Sequence, residues 1–222
     1  APDFETPQHA DGRGNTQSRY DYPFGISVNA LGLRFFDEGE AEHSYTYAKT
    51  GRTILAQPGA VAWQIYDRTG IAQHRYPHHK ATFEEAVSIA ELARKIGLAP
   101  EVLVHTIEEF NAACRDDVPF DPTRPDGKTT QGLAIPKSNW ANWIETPPFR
   151  AYPVTGGITF TFGGVRVTNR AQVVSMSWSV IAGLYACGEM VGGLFHGNYP
   201  GGTGLMSGAV FGRLAGAEAA GA

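Results

Sequence analysis

The 222-residue sequence predicts an α+β fold in two parts. Three observations carry this. Helical and strand-like hydrophobic patterns are mixed without regular alternation as far as residue 148. Beyond Pro147-Pro148, glycine and β-formers replace helix formers. The chain then closes on one long, glycine-spaced helical stretch. We therefore expect a first domain over 1–148 and a second over 149–222.

Phe24 to Asn29 favours extended chain, and after Ala30-Leu31-Gly32 a second extended piece, Leu33 to Phe36, suggests a hairpin. From Ala41 to Asp67 the apolar pattern is broken by Pro58-Gly59, so a helix should stop there and a strand follow. Thr82 with Glu85 reads as a capping box for a helix reaching Gly97. Pro100 suits a first helical turn, and Val102, Leu103, Ile107 and Phe110 continue an amphipathic helix to about Cys114. Pro119, Pro122 and Pro125 make Asp116 to Gly127 a surface loop. Ile158 to Phe162, Val165 to Thr168, Val173 to Met176 and Gly183 to Cys187 read as short strands, followed by glycine loops and a last helix.

With 42% hydrophobic and 11% aromatic residues, the chain can bury one large or two small cores. Eighteen Lys and Arg against 22 Asp and Glu leave a formal charge of −4, which gives no basic field for nucleic acid. Cys114 and Cys187 are too few for a disulfide framework and suit a reduced, cytoplasmic setting. No apolar run is long enough to cross a bilayer, and the first residues lack a signal-peptide pattern. The polar opening through Tyr22 reads as a connecting segment, so we expect sequence upstream of it.

Gly183 to Leu205 carries the chemistry. A buried strand feeding the Gly188 turn, with Glu189 at its end, suits a cofactor whose hydroxyls need a fixed acceptor while its ring approaches bare backbone. Gly201, Gly202, Thr203, Gly204 and Leu205 would aim helix N-terminal N–H groups at an electron-rich ring edge. Gly204, Gly208, Gly212 and Gly216 recur every four residues, so something packs close to that helix face: a strand, a helix or a planar cofactor.

Gly-Leu-Tyr-Ala-Cys-Gly-Glu from Gly183 to Glu189, then Gly192-Gly193, the Tyr199 to Gly204 turn and Phe211 to Gly216 resemble the carboxy-terminal signature of the fumarate reductase and succinate dehydrogenase flavoproteins. Gly163-Gly164-Val165, Phe35 to Glu40, Gln57-Pro58-Gly59 and Lys137 to Trp140 resemble the tricarballylate dehydrogenase subgroup. The resemblance implies a capping, substrate-binding domain up to about residue 148, then the returning strands and last helix of a Rossmann-like FAD-binding domain. It implies FAD as cofactor, with Gly163 and Gly164 joining Gly188, Glu189 and Gly201 to Leu205 in holding it. The amino-terminal glycine fingerprint of that family has no counterpart: Gly12-Arg13-Gly14 lacks the preceding strand and following helix. The FAD site is then incomplete, its missing amino-terminal half becomes an expected partner, and this chain alone should bind FAD weakly or not at all and be inactive.

Three positions depart from the fumarate reductase pattern. Where the family has a proton-donating arginine, this chain has Glu42-His43; where it has a carboxylate-gripping histidine and arginine, it has Phe160 and Tyr199. Fumarate reduction itself is thereby disfavoured. Tyr199 resembles the Tyr-Pro-Gly turn of ketosteroid dehydrogenases, where a phenol polarises a carbonyl. For a small carboxylate substrate Arg52 is the first candidate, ahead of Arg34, Arg150 and Arg166, and His43 could transfer protons. His74, His78 and His79 read as a polar loop, with no metal expected. The leading reading is hydride transfer between a small polycarboxylate's C–C bond and FAD; the alternatives are a ring-ketone dehydrogenase or a non-catalytic fragment or ligand-binding remnant. An uncovered apolar surface would promote self-association.

Overall fold

A computed structural model describes residues 20–75, 82–158 and 160–221, and the chain divides into one unit ending at Gly157 and another beginning at Ile158. In the first, β1 (Ile26–Asn29) is followed by α1 (His43–Leu55), β2 (Val61–Tyr66), the short α2 (Arg68–Ile71) and β3 (Glu84–Ala86). Then come α3 (Ile89–Lys95), α4 (Pro100–Ala113) and β4 (Phe149–Thr155). The strands form one antiparallel sheet in the order β1-β2-β4-β3. β4 lies in this first unit and starts at Phe149, the first residue after the expected boundary.

Strand alternation sends side chains to two cores. Ile26, Val28, Ile65 and Ala151 meet Leu92 of α3 and Leu103, Ile107 and Phe110 of α4. Ala62 and Val154 meet Ile54 of α1, with Phe35 packed against them. The stop before β2 is where the sequence put it, with Gly59 at φ 71°. Pro100 opens α4, as its missing N–H and fixed φ allow.

Two local expectations fail for identifiable reasons. Thr82 and Glu85 do not cap a helix: Glu84–Ala86 pairs with β4, and Glu85 binds Arg150 at 2.7 Å across the sheet. Ser88 is the real cap, its hydroxyl accepting from the Glu91 amide at 3.2 Å. Leu33 to Phe36 is not a strand beyond a single bridge from Arg34 to Val28. Arg34 turns inward instead, pairing with Glu38 at 2.5 Å and donating to the Ile135 carbonyl at 2.9 Å. Residues 116–127 form the expected proline loop, tied by the Trp140 indole, which donates to the Asp121 and Arg124 carbonyls at 2.9 and 3.0 Å.

The second unit contains β5 (Gln172–Val174), β6 (Val180–Tyr185) and α5 (Thr203–Ala219). β5 and β6 pair antiparallel. The described residues of Ile158 to Phe162 form no strand, and Val165 to Thr168 contributes only bridges from Val165 to Val191 and from Val167 to Val173. Its core is small, Val173, Ala186 and Val191 with Val167 beside them. No residue of α5 is buried. Among the described residues, no helix is long and apolar enough to cross a membrane.

Candidate functional site

In the second unit the glycine turns converge on residues 188–193. Gly164 and Gly192 cross so closely that a Cβ on Gly164 would lie 2.2 Å from the Met190 carbonyl oxygen. The Val165 amide donates to that same oxygen at 2.8 Å, and the Gly192 amide donates to the Val165 carbonyl at 3.0 Å. These two glycines are therefore required by backbone crossing. Gly163, beside them, and Gly188 have open space where a Cβ would be, and Gly188 sits at φ 75°. Glu189 follows in a single 3-10 turn, exposed, with Oε1 accepting from the Thr161 amide at 3.0 Å. A carboxylate accepts several hydrogen bonds, so Glu189 keeps capacity for a ligand hydroxyl.

α5 starts from Gly202 at φ 83°, and no side chain caps it. The Thr203 hydroxyl turns back to the Pro200 carbonyl at 2.6 Å. The Thr203 amide donates to the Pro200 carbonyl at 3.3 Å; the next first-turn amides, Gly204 and Leu205, have no acceptor within their own helix and can offer N–H groups and a positive dipole end to an incoming electron-rich edge. The glycine face has a simpler account. A Cβ on Gly204 would be 3.6 Å from Phe160, on Gly208 3.8 Å from the Gly188 Cα, and on Gly212 3.8 Å from the Cys187 sulfur, while Gly216 meets nothing within 4 Å. These are contacts with protein at ordinary distances.

Tyr199 lies at the start of the turn that feeds α5, and it is 4% exposed. Its ring centroid is 4.3 Å from that of Phe160, 5.6 Å from Phe162 and 5.7 Å from Phe195. The two departures in the carboxylate-gripping positions, Phe160 and Tyr199, are thus neighbours. Phe162 and Phe195 were not among the residues singled out from sequence. The Phe160-x-Phe162 spacing was the available signal, because alternate residues of extended chain share a face.

In the first unit, His43 and Arg52 both lie on α1, but nine residues at about 100° each put them on opposite sides of the helix. Arg52 is exposed, and among the described residues no ion pair holds it. His43 has Nδ1 2.5 Å from the Glu42 carboxylate and its ring stacked on Tyr20 at 5.3 Å. Burial pushes the imidazole below its ordinary pKa, against the opposing pull of Glu42. Arg34 is held by Glu38, Arg150 by Glu85 with the Phe83 ring 4.8 Å away, and Arg166 lies 3.8 Å over Trp178. His74 packs edge-on against Tyr66 at 4.6 Å; His78, His79 and the Gly12-Arg13-Gly14 stretch lie outside the described residues.

Residues 7–205 match the model of the FAD binding domain family. The chain belongs to that family. Its cofactor is FAD, and an acceptor carboxylate at Glu189 with donor amides at the uncapped α5 terminus suits the hydroxyls and the electron-rich edge of a flavin. The chain is 33% identical over 200 residues to the NADH:fumarate oxidoreductase of Klebsiella pneumoniae (strain 342), covering 88% of this chain and 20% of that protein. It resembles the open conformation of a flavocytochrome c3 fumarate reductase with a TM-score of 0.63 and 28% identity, covering 92% of this chain and 34% of the other. It also resembles 3-ketosteroid-delta4-(5alpha)-dehydrogenase from Rhodococcus jostii RHA1, solved with 4-androstene-3,17-dione, with a TM-score of 0.67 and 26% identity over 90% of this chain and 39% of the other. The chain therefore spans well under half the length of each of these three proteins.

Proposed function

We propose that these residues belong to an FAD-dependent oxidoreductase that moves a hydride between FAD and a substrate C–C bond next to a carbonyl group. Bound FAD supplies the hydride chemistry; the protein supplies binding, orientation and proton management. Glu189 and the Gly188 turn would hold the cofactor's hydroxyls, and the Gly201 to Leu205 amides would face its ring edge. Tyr199 would donate a hydrogen bond to the carbonyl oxygen, stabilising charge that develops there while remaining neutral itself.

The observation that carries the substrate class is the packing of Tyr199 against Phe160, Phe162 and Phe195. Three aromatic neighbours favour a planar or cyclic ketone over a carboxylate, which calls for guanidinium groups. The second reading, a tricarballylate-like polycarboxylate dehydrogenase, is supported by the motif resemblance and by exposed Arg52. The exposed apolar residues of β6 and α5 support two further partners, the amino-terminal half of an FAD-binding domain and, in its absence, a second copy of this chain.

Dye-coupled oxidation by the FAD-loaded holoenzyme carrying these residues separates the substrate readings. A cyclic ketone should be oxidised with little salt dependence, and Tyr199→Phe should lower kcat by about 100-fold. Turnover of tricarballylate but not of ketones, weakened by salt and by Arg52→Gln, would replace the first reading with the second.

A further inference from the structure

Glu42 is the N-cap of α1 and stands immediately before His43. Its two carboxylate oxygens have separate partners. Oε2 accepts from the Ser44 amide at 2.9 Å, and the Ser44 hydroxyl closes on the same oxygen. Oε1 lies 2.5 Å from His43 Nδ1 and 4.0 Å from the Arg75 guanidinium. Tyr20 covers one face of the imidazole, nearly parallel at 17°. The histidine side chain is 17% exposed and lines a small cavity with Phe24, Arg75 and Trp140.

The helix cap decides the state of the carboxylate, and the carboxylate decides the state of the ring. Although partial burial opposes ionisation, the two hydrogen bonds from Ser44 hold Glu42 below the usual carboxylate range. An ionised carboxylate only accepts, so the proton of the close contact must sit on Nδ1. The neutral imidazole then carries its lone pair on Nε2. Among the described residues, the charged and titratable groups facing the ring are Glu42, Asp21, Arg75 and Tyr20, while Arg124 in the cavity wall is paired with Asp121 at 2.9 Å.

We propose that Glu42 is a positioning residue that fixes His43 as the Nδ1–H tautomer, making Nε2 the atom through which this imidazole exchanges protons. Its use in turnover rests on the hydride-transfer reading above. When Nε2 takes up a proton the ring becomes an imidazolium. The resulting imidazolium faces the Glu42 carboxylate, which stabilises it. Glu42 thus takes the orienting part and His43 the proton-transfer part.

The test is nitrogen NMR of the complete 222-residue chain labelled at histidine, with the His43 signals assigned by their loss in His43→Gln. The wild-type neutral ring should be protonated at Nδ1. Glu42→Gln, which can still accept from Ser44, should lower the His43 pKa by about one unit or more through loss of the facing charge. Glu42→Ser keeps a helix-capping hydroxyl but is too short to reach the ring, and should move the proton to Nε2. Glu40→Gln, which removes only the surface partner of Lys49, should change neither. A wild-type ring protonated at Nε2, or a titration that neither Glu42 variant moves, overturns the proposal. This readout needs neither flavin nor substrate, so its failure would leave the hydride-transfer reading standing, and failure of dye reduction would leave the pair standing.

Discussion

In the first unit Ile54, Ile65, Leu92 and Leu103 are each 0% exposed, whereas in the second Leu205 and Met206 at the start of α5 are 82% and 62% exposed. Both units draw on similar apolar residue types. The difference lies in whether the unit supplies both sides of its own core. The sheet of the first unit has α1 on one face and α3 with α4 on the other. In the second, a two-stranded hairpin and one helix cannot cover each other, because a two-stranded sheet alone is marginal without further packing. The first unit covers a core on each face of its sheet; the second leaves the apolar side chains of α5 exposed.

The largest expected effect tests that contrast directly. Ile65→Ala, at the centre of the sheet, should cost about 2–5 kcal/mol in urea unfolding of the first unit. Val210→Ala on α5 should change stability by less than about 0.5 kcal/mol. A loss of several kcal/mol at Val210 would break the comparison, since it would mean that face is covered.

Next comes a pH effect confined to the first unit. Lys137 is buried, its ammonium donates to the Gly25 carbonyl, and burial pushes its pKa down from 10.5 to about 8, with Glu38 opposing. The folded value is below the unfolded one, so for a cation the fold is penalised while both states are protonated, below about pH 8. The penalty is lifted as pH rises from there toward 10.5. Stability should therefore increase by about 1 kcal/mol between pH 7 and 9, and Lys137→Met should lack that rise. The window ends at 9 because Cys114, raised by burial from 9.0 to about 11, and then Tyr22, raised by burial to about 12, contribute stability that is lost as pH rises further.

Smaller effects sharpen the picture of the second unit. Gly164→Ala forces a Cβ against the Met190 carbonyl and should cost about 1–3 kcal/mol, read as lost amide protection at Val165 and Gly192. Gly216→Ala meets nothing within 4 Å and should raise α5 stability by about 1 kcal/mol. A destabilising Gly216→Ala would show that a close neighbour covers that end of the helix.

The legible parts of the sequence were those governed by local chemistry. Pro58-Gly59 stopped α1, Pro100 opened α4, and the Gly201-Gly202 turn opened α5. The illegible parts were pairings between distant segments. Glu84–Ala86 carries a helix-capping pattern, yet it pairs with β4 because Glu85 and Arg150 meet across the sheet. Phe162 and Phe195 joined the Tyr199 group only when the chain folded back on itself. Glycine spacing located the α5 face but not its neighbours, since four glycines present the same bare surface to a cofactor or to the Cys187-Gly188 turn.

The sequence by itself determined the mixture of helix and strand, the family and the positions of the glycine turns, because turn chemistry, capping and backbone approach are written in residues close together in the chain. Only the tertiary structure decided that Phe160 and Tyr199 are neighbours, that β4 completes the first sheet, and that Glu42 spends one oxygen on a helix cap and the other on His43. Those facts depend on distances and directions between side chains, which follow from how the backbone is placed and not from the spacing of letters.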